Sequence, residues 1–290
     1  DNSEPTVTPL GFDVVRSGNL TAGNQQDFTF DASAGTILYF NSLDRDNDAV
    51  NVQILDPSNN VVIPSYYSAS ANYGPYVLTT GGTYTVSIIA NGDGDFAFRL
   101  LDLAAITPSL TVGDTVTVAD LPAFQTDVYR FTGTAGQFVL FDGLDADGEV
   151  VNVIGLNPHL NQIFYSYNSQ DQPTLLGLNG DYYLLVDNGQ DSSVDYSFRL
   201  LDVATQPPLT VGDSQMGTLD PSEKVDLYRF AGSAGQRIYL QAESDRRCDS
   251  YWTLYRVADG AALTGNCAGY DFELPLPTDG TYAIAVSANT

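Results

Sequence analysis

Asp127-Val128-Tyr129-Arg130-Phe131-Thr132-Gly133-Thr134-Ala135-Gly136-Gln137-Phe138-Val139-Leu140-Phe141 is the stretch that decides the fold. Its first five residues alternate in character, as a half-buried strand does. Gly133 to Gln137 reads as a tight turn, and Phe138-Val139-Leu140-Phe141 is an apolar run suited to a more fully buried strand. The pattern recurs. Ala34-Gly35, Ala135-Gly136 and Ala234-Gly235 mark one position in three successive copies. Gly82-Thr83-Tyr84, Gly180-Asp181-Tyr182 and Gly280-Thr281-Tyr282 mark a second. Phe98-Arg99-Leu100-Leu101-Asp102 and Phe198-Arg199-Leu200-Leu201-Asp202 are identical. The period of about 100 residues is that of a small domain rather than of a solenoid unit.

Around the opening stretch, copy two carries strand patterns at Thr115–Val118, Val150–Leu156, Ile163–Tyr167, Tyr182–Val186 and Tyr196–Leu200. Seven to nine short strands in about 100 residues need a second sheet to cover each apolar face, which predicts antiparallel β-sandwiches. The expected organisation is an extended arm at 1–11 and repeats at 12–105, 106–205 and 206–290. The joins Ile106-Thr107-Pro108-Ser109 and Gln206-Pro207-Pro208 are short and stiffened by proline, which predicts an elongated array.

Composition excludes several function classes. A hydrophobic content of 43% with 18 Tyr and 14 Phe is enough for a core in each copy. The net charge of −25, with Lys224 as the single lysine, repels phosphate, which disfavours nucleic acid and anionic membrane surfaces as partners. No apolar run reaches the roughly 20 residues of a membrane span. The sequence opens at Asp1 without Met and shows no secretory leader, so a processed chain or a fragment is expected. Residues 206–290 carry 11 acidic and 6 basic groups, the remainder 25 and 5, so the C-terminal copy approaches an acidic partner at lower electrostatic cost. Cys248 and Cys267 flank a strand, Tyr251–Val257, and a turn, Ala258-Asp259-Gly260. Folding about that turn brings them together as a disulfide, which implies an oxidising compartment.

The order of an aromatic strand, Gly-x-Ala-Gly-Gln, an apolar strand, an acidic loop, Gly-x-Tyr and Tyr-x-Phe-Arg-Leu resembles the bacterial pre-peptidase C-terminal domain family. Tyr129-Arg130-Phe131 with Gly133–Gln137 and Tyr228-Arg229-Phe230 with Gly232–Gln236 carry the resemblance. Copy one departs from it with Phe28-Thr29-Phe30 and Ser33-Ala34-Gly35-Thr36. The resemblance implies an all-β chain of three jelly-roll-like sandwiches, and a non-catalytic accessory or structural role at the cell surface or outside the cell.

Three sets of residues are candidates for binding. Asp44, Asp46 and Asp48 in copy one, and Asp145, Asp147 and Glu149 in copy two, place alternate carboxylates on one turn, a pattern suited to Ca²⁺. Copy three breaks it with Arg246, Arg247 and Cys248. Tyr66, Tyr67, Tyr73 and Tyr76, and Phe164, Tyr165 and Tyr167, form aromatic clusters able to stack on a glycan or pack on a surface protein. Neighbouring strand residues face opposite sides, so one of Tyr66 and Tyr67 is expected in the core. Thr6, Val7 and Thr8 form the arm, a candidate donor strand. Copy three ends about 10 residues past its Gly-x-Tyr, without a Phe-Arg-Leu-Leu-Asp tail. A cut fragment, closure with fewer strands, or completion by the arm of another molecule are the alternatives; the last gives a head-to-tail filament. Catalysis has little support. His159 lies alone in a turn-like stretch, and Gly212-Asp213-Ser214 matches the turn Gly113-Asp114-Thr115 of copy two. The expected function is an extracellular structural protein, a filament subunit in its finest form; the alternative is a glycan- or protein-binding accessory module of a larger enzyme or adhesin.

Overall fold

The computed structural model describes residues 7–46, 49–106, 109–145, 151–212, 214–217, 219, 225–241 and 248–288. Repeat one supplies β1 (Thr8–Pro9), β2 (Arg16–Leu20), β3 (Gln25–Ala32), β4 (Ile37–Ser42), β5 (Val50–Leu55), β6 (Val61–Ser68), β7 (Tyr73–Val77), β8 (Gly82–Ala90) and β9 (Gly94–Asp102). They form two sheets, β1-β3-β8-β5-β6 and β2-β9-β4-β7. Repeat two supplies β10 (Thr115–Leu121), β11 (Thr126–Gly133), β12 (Phe138–Gly143), β13 (Val151–Leu156), β14 (Gln162–Tyr167), β15 (Gln172–Leu175), β16 (Gly180–Asn188) and β17 (Val194–Asp202). Its sheets are β11-β16-β13-β14 and β10-β17-β12-β15. Repeat three supplies β18 (Val225–Gly232), β19 (Arg237–Leu240), β20 (Ser250–Arg256), β21 (Ala261–Cys267), β22 (Phe272–Pro275) and β23 (Gly280–Ala288). Among the described residues its sheets are β18-β23-β20-β21 and β19-β22.

The chain is all-β, as its alternating patterns predict, and its sheets fall into tandem sandwiches. It divides into two compact units rather than three. One is Asp1–Pro108 with Pro122–Arg130 and Asp187–Ser193; the other is Ser109–Leu121 with Phe131–Val186 and Val194–Thr290. The division falls inside repeat two, because the segments around Thr126 and Asp187 belong with repeat one.

The recurrent motifs set turns and cores. Gly35, Gly136 and Gly235 have φ of 95°, 86° and 77°, a conformation that a side chain resists. Their N–H groups donate to Leu78, Leu176 and Leu276 carbonyls at 2.7, 2.8 and 2.8 Å, closing the same corner three times. The Gly-x-Tyr tyrosines Tyr84, Tyr182 and Tyr282 are fully buried. Each hydroxyl donates to the carbonyl four residues upstream, Thr80, Leu178 or Thr278, at 2.6, 2.8 and 2.7 Å, so no buried polar group is left unsatisfied there. Each ring stacks on the last aromatic of the preceding motif, Phe30, Phe131 or Phe230, at 5.2–5.5 Å between centroids. In repeat three the Cys248–Cys267 disulfide forms, with β20 and β21 paired antiparallel about the expected turn.

The end of the arm joins its own repeat. Thr8 and Pro9 pair in parallel with Phe28 and Thr29 of β3, the Leu10 N–H donates to the Thr29 carbonyl at 2.7 Å, and Leu10 is buried in the core of repeat one. Repeat three repeats the arrangement: Pro208 bridges Arg229 in parallel, and the Leu209 N–H donates to the Arg229 carbonyl at 2.7 Å. Val7 is exposed, and Thr6 lies outside the described residues. Of the donor-strand candidates, Thr8 is thus paired within its own repeat, and Pro9-Leu10 is a lead-in that belongs to the repeat itself.

Candidate functional site

In the first unit a buried polar knot ties repeat one to the segments around Thr126 and Asp187. Arg99, from the Phe-Arg-Leu-Leu-Asp strand β9, donates from Nη2 to the Thr126 carbonyl at 2.6 Å, from Nε to Asn41 Oδ1 at 3.0 Å and from Nη1 to Asp13 Oδ1 at 2.7 Å. Asn41 Oδ1 also accepts from the Thr126 N–H at 3.0 Å, while its Nδ2 donates to the Phe124 carbonyl at 3.0 Å. Arg45 forks onto Asp187, Nη1 to Oδ2 at 3.0 Å and Nη2 to Oδ1 at 2.7 Å, and its guanidinium lies 5.5 Å from the Phe124 ring centre. Asp187 Oδ1 also accepts from Thr126 Oγ1 at 2.6 Å and Asn72 Nδ2 at 3.0 Å. Burial pushes the Tyr39 hydroxyl upward, and the nearby Asp187 carboxylate adds to the shift. The Arg45–Asp187 pair is thus enclosed, with both Nη groups and both carboxylate oxygens hydrogen-bonded, while Arg45 Nε is buried without a partner among the described residues.

In the second unit the same device appears with a different filling. Arg199, from β17, donates from Nη2 to the Val225 carbonyl at 2.5 Å and from Nε to the fully buried Asp142 at 2.5 Å. Asp142 stands opposite Arg199 as Asn41 stands opposite Arg99. Around this pair the surface is apolar: Phe138, Leu140, Leu201 and Val203 pack on Val225, Leu227, Ala283 and Ala285, with Tyr255 5.7 Å from Phe138. A second arginine recurs as well. Arg130 donates to the Ala104 carbonyl at 2.9 Å, and Arg229 donates from Nε to the Gln206 carbonyl at 2.9 Å. The Tyr-Arg-Phe arginines therefore hold the preceding connector, and the Phe-Arg-Leu-Leu-Asp arginines hold the start of the next repeat. Repeat one has Thr29 at the first of these positions.

The expected binding residues are distributed differently. Of the calcium candidates, Asp48, Asp147 and Glu149 lie outside the described residues. Asp44 Oδ1 accepts from the Asp46 N–H at 3.3 Å. Asp145 is engaged as a staple: Ser197 donates its N–H at 2.7 Å and its hydroxyl at 2.8 Å, and Asn168 donates at 3.0 Å. Among the described residues no three His, Cys, Asp or Glu side chains gather as a metal site. Arg45 of the copy-one acidic loop pairs with the largely buried Asp187.

The aromatic clusters split by strand alternation. Tyr66 is 74% exposed and Tyr165 is 47% exposed, each at an outward position of β6 or β14. Tyr67, Tyr73 and Tyr76 pack against the core of repeat one, and Tyr67 stacks on Tyr73 at 4.8 Å. Phe164 is buried 6.0 Å from Phe141, so it is corrected from a surface candidate to a core residue. Tyr167 is half-buried, with its ring edge-on to Tyr165 at 5.6 Å. His159 is exposed in a turn, where its N–H donates to Asn157.

Sequence reasoning missed the joints. The signal available to it was scarcity: in a chain of 36 acidic residues and one lysine, five of the ten arginines, Arg45, Arg99, Arg130, Arg199 and Arg229, are spent here.

No protein-family model matches the chain, and no curated protein does. Among solved structures, a periplasmic inhibitor of g-type lysozyme from Salmonella Typhimurium, PliG, aligns at 17% identity over 33% of this chain and 96% of its own, with a TM-score of 0.27. The pre-peptidase C-terminal domain of a collagenase from Bacillus anthracis aligns at 16% identity over 34% of this chain and 99% of its own, with a TM-score of 0.27. The secreted serine protease VesC from Vibrio cholerae aligns at 13% identity over 67% of this chain and 48% of its own, also at 0.27.

Proposed function

We propose that the chain is a non-catalytic structural array that works outside the cytoplasm, its repeats held in register by paired arginine clamps. The observation that carries this reading is the reuse of one arginine: Arg99 and Arg199 cap the Thr126 and Val225 carbonyls in the same way. The recurrent side chains are then accounted for by turns, cores and joints. The disulfide supports an oxidising compartment. No helix is long and apolar enough to cross a membrane among the described residues.

Assembly with other molecules is the finer form of the proposal. It is supported by the uneven charge: residues 206–290 carry 11 acidic and 6 basic groups, so this end approaches an acidic neighbour at lower electrostatic cost. Electron microscopy of concentrated protein tests it: end-to-end strings support assembly, and monodisperse single particles at high concentration count against it. A binding-module reading is favoured by the exposed Tyr66 and Tyr165 at outward positions of β6 and β14. A glycan array run with Tyr66→Ala and Tyr165→Ala variants separates the two readings. A ligand lost in both variants supports the module, and an array without ligands supports the structural role.

A further inference from the structure

Inside the polar knot of the first unit, three side chains stand in the order that acyl transfer needs. Thr126 Oγ1 donates to Asp187 Oδ1 at 2.6 Å, and Asn72 Nδ2 donates to the same oxygen at 3.0 Å. Thr126 Oγ1 and Asn72 Nδ2 are 3.5 Å apart, so a hydroxyl lies against a carboxamide while one carboxylate oxygen touches both. The carboxamide oxygen, Asn72 Oδ1, accepts from the Ser42 N–H at 2.9 Å and from Asn41 Nδ2 at 3.1 Å. Two fixed donors at that range make an oxyanion hole. A nucleophile, a base and oxyanion donors therefore converge on a single amide group.

The surroundings fix the orientation of each group. Asn41 Oδ1 faces two groups that can only donate, Arg99 Nε and the Thr126 N–H, both at 3.0 Å, so its Nδ2 is the atom left for Asn72. Asn72 is oriented the same way: its oxygen faces the Ser42 N–H and its nitrogen faces the Asp187 carboxylate. Thr126, Asn41 and Ser42 are fully buried, and the Tyr39 hydroxyl hydrogen-bonds Thr126 and Asn72. Such enclosure strengthens the electrostatics of the site and keeps water from a reactive product.

We propose that Thr126 and Asn72 condense into an intramolecular ester, a covalent cross-link that the chain makes by itself. Thr126 Oγ1 bonds to Asn72 Cγ while its proton passes to Asp187 Oδ1. The negative charge that forms on Asn72 Oδ1 is held by the Ser42 and Asn41 donors. Asp187 hands the proton on to Asn72 Nδ2, the carbon–nitrogen bond breaks, and ammonia leaves. One hydroxyl and one carboxamide become one ester and one ammonia, with no change of oxidation state, and Asp187 ends as it began. The second joint lacks the reactants. The Tyr-Arg-Phe motif aligns Thr126 with Val225, the Gly-x-Tyr motif aligns Asp187 with Ser287, and the pairing of β4 with β7 and of β12 with β15 aligns Asn72 with Asp171. Valine offers no nucleophile, and apolar packing closes that joint instead.

The test is intact mass spectrometry of the full 290-residue chain with its disulfide reduced, followed by digestion and peptide mapping. The expected result is a parent chain lighter than its sequence by one ammonia, about 17 Da, with residues 72 and 126 in a joined peptide pair that hydroxylamine separates. A cyclic imide at Asn72 loses the same mass but joins no peptides, so the pair distinguishes the two. Thr126→Val is expected to keep the mass of its sequence. Asp187→Asn, which keeps the shape and removes the base, is expected to slow cross-linking at least about 100-fold. A parent chain that keeps the full mass of its sequence after prolonged incubation overturns the proposal. So does a mass loss without the joined pair, or one that persists in Thr126→Val. The two readings on the parent chain stand whether or not a variant folds.

Discussion

The joint at Thr126 and the joint at Val225 are built on one backbone device and filled with opposite chemistry. Around Thr126 the packing is polar, with Arg45, Asp187, Asn72 and Asn41 joined in one hydrogen-bonded network. Around Val225 it is apolar, with Phe138, Leu140, Leu227 and Ala285 closing on the Arg199–Asp142 pair. The comparison teaches what the repeat holds constant. Phe-Arg-Leu-Leu-Asp is kept because its arginine reaches a main-chain carbonyl, whatever side chains surround that carbonyl. The filling then sets how each joint responds to truncation, charge and pH.

The largest effect expected is in the apolar joint. Phe138→Ala removes a buried ring that packs on Tyr255, and a loss of about 4 kcal/mol in urea unfolding is predicted. Asp187→Ala in the polar joint leaves the Arg45 guanidinium largely buried without its carboxylate, for a loss of about 3 kcal/mol. Asp187→Asn, which keeps the shape and removes the charge, separates the ion pair from the hydrogen bonds to Thr126 and Asn72. Equal sensitivity of Asp187→Asn and Phe138→Ala to added salt would remove the distinction between the joints.

Arg99→Lys and Arg199→Lys sharpen the shared part. Lysine cannot span a side-chain acceptor and a carbonyl with one planar group, so about 1–2 kcal/mol is lost in each joint. The smallest effect is expected in alkali. Burial raises the folded Tyr39 above the unfolded tyrosine value of about 10, so the folded chain keeps a proton that the unfolded chain releases. Its contribution is complete below about pH 10 and lost as pH rises toward the folded value. Unfolding midpoints measured from pH 8 to 11 should fall more steeply for the parent than for Tyr39→Phe.

Legibility followed the range of each interaction. The Ala-Gly turns were readable because a positive φ selects glycine locally, and Gly35, Gly136 and Gly235 repeat it. The disulfide was readable because a 19-residue separation folds back over one turn. Alternation separated the exposed Tyr66 from Tyr67, which is half-buried against the core, but was not extended to Phe164, which lies inward next to the outward Tyr165. The clamps were invisible for a physical reason. Their acceptors, the carbonyls of Thr126, Val225, Ala104 and Gln206, are main chain and leave no mark in residue type. Arg45 and Asp187 lie 142 residues apart, and nothing in either neighbourhood names the other. The pairing of Thr8 and Pro9 with β3 escaped notice because the lead-in Pro9-Leu10 was not matched with Pro208-Leu209 before the third repeat.

The central claim is that each tail arginine secures one joint. Hydrogen exchange of Arg99→Ala and Arg199→Ala, each beside the parent chain, tests it most directly. The account predicts that Arg99→Ala speeds exchange at 124–130 and 187–190 and leaves 225–232 unchanged, with the reverse pattern for Arg199→Ala. Loss of protection in the same segments for both variants, or in neither pair of segments for either, would contradict it.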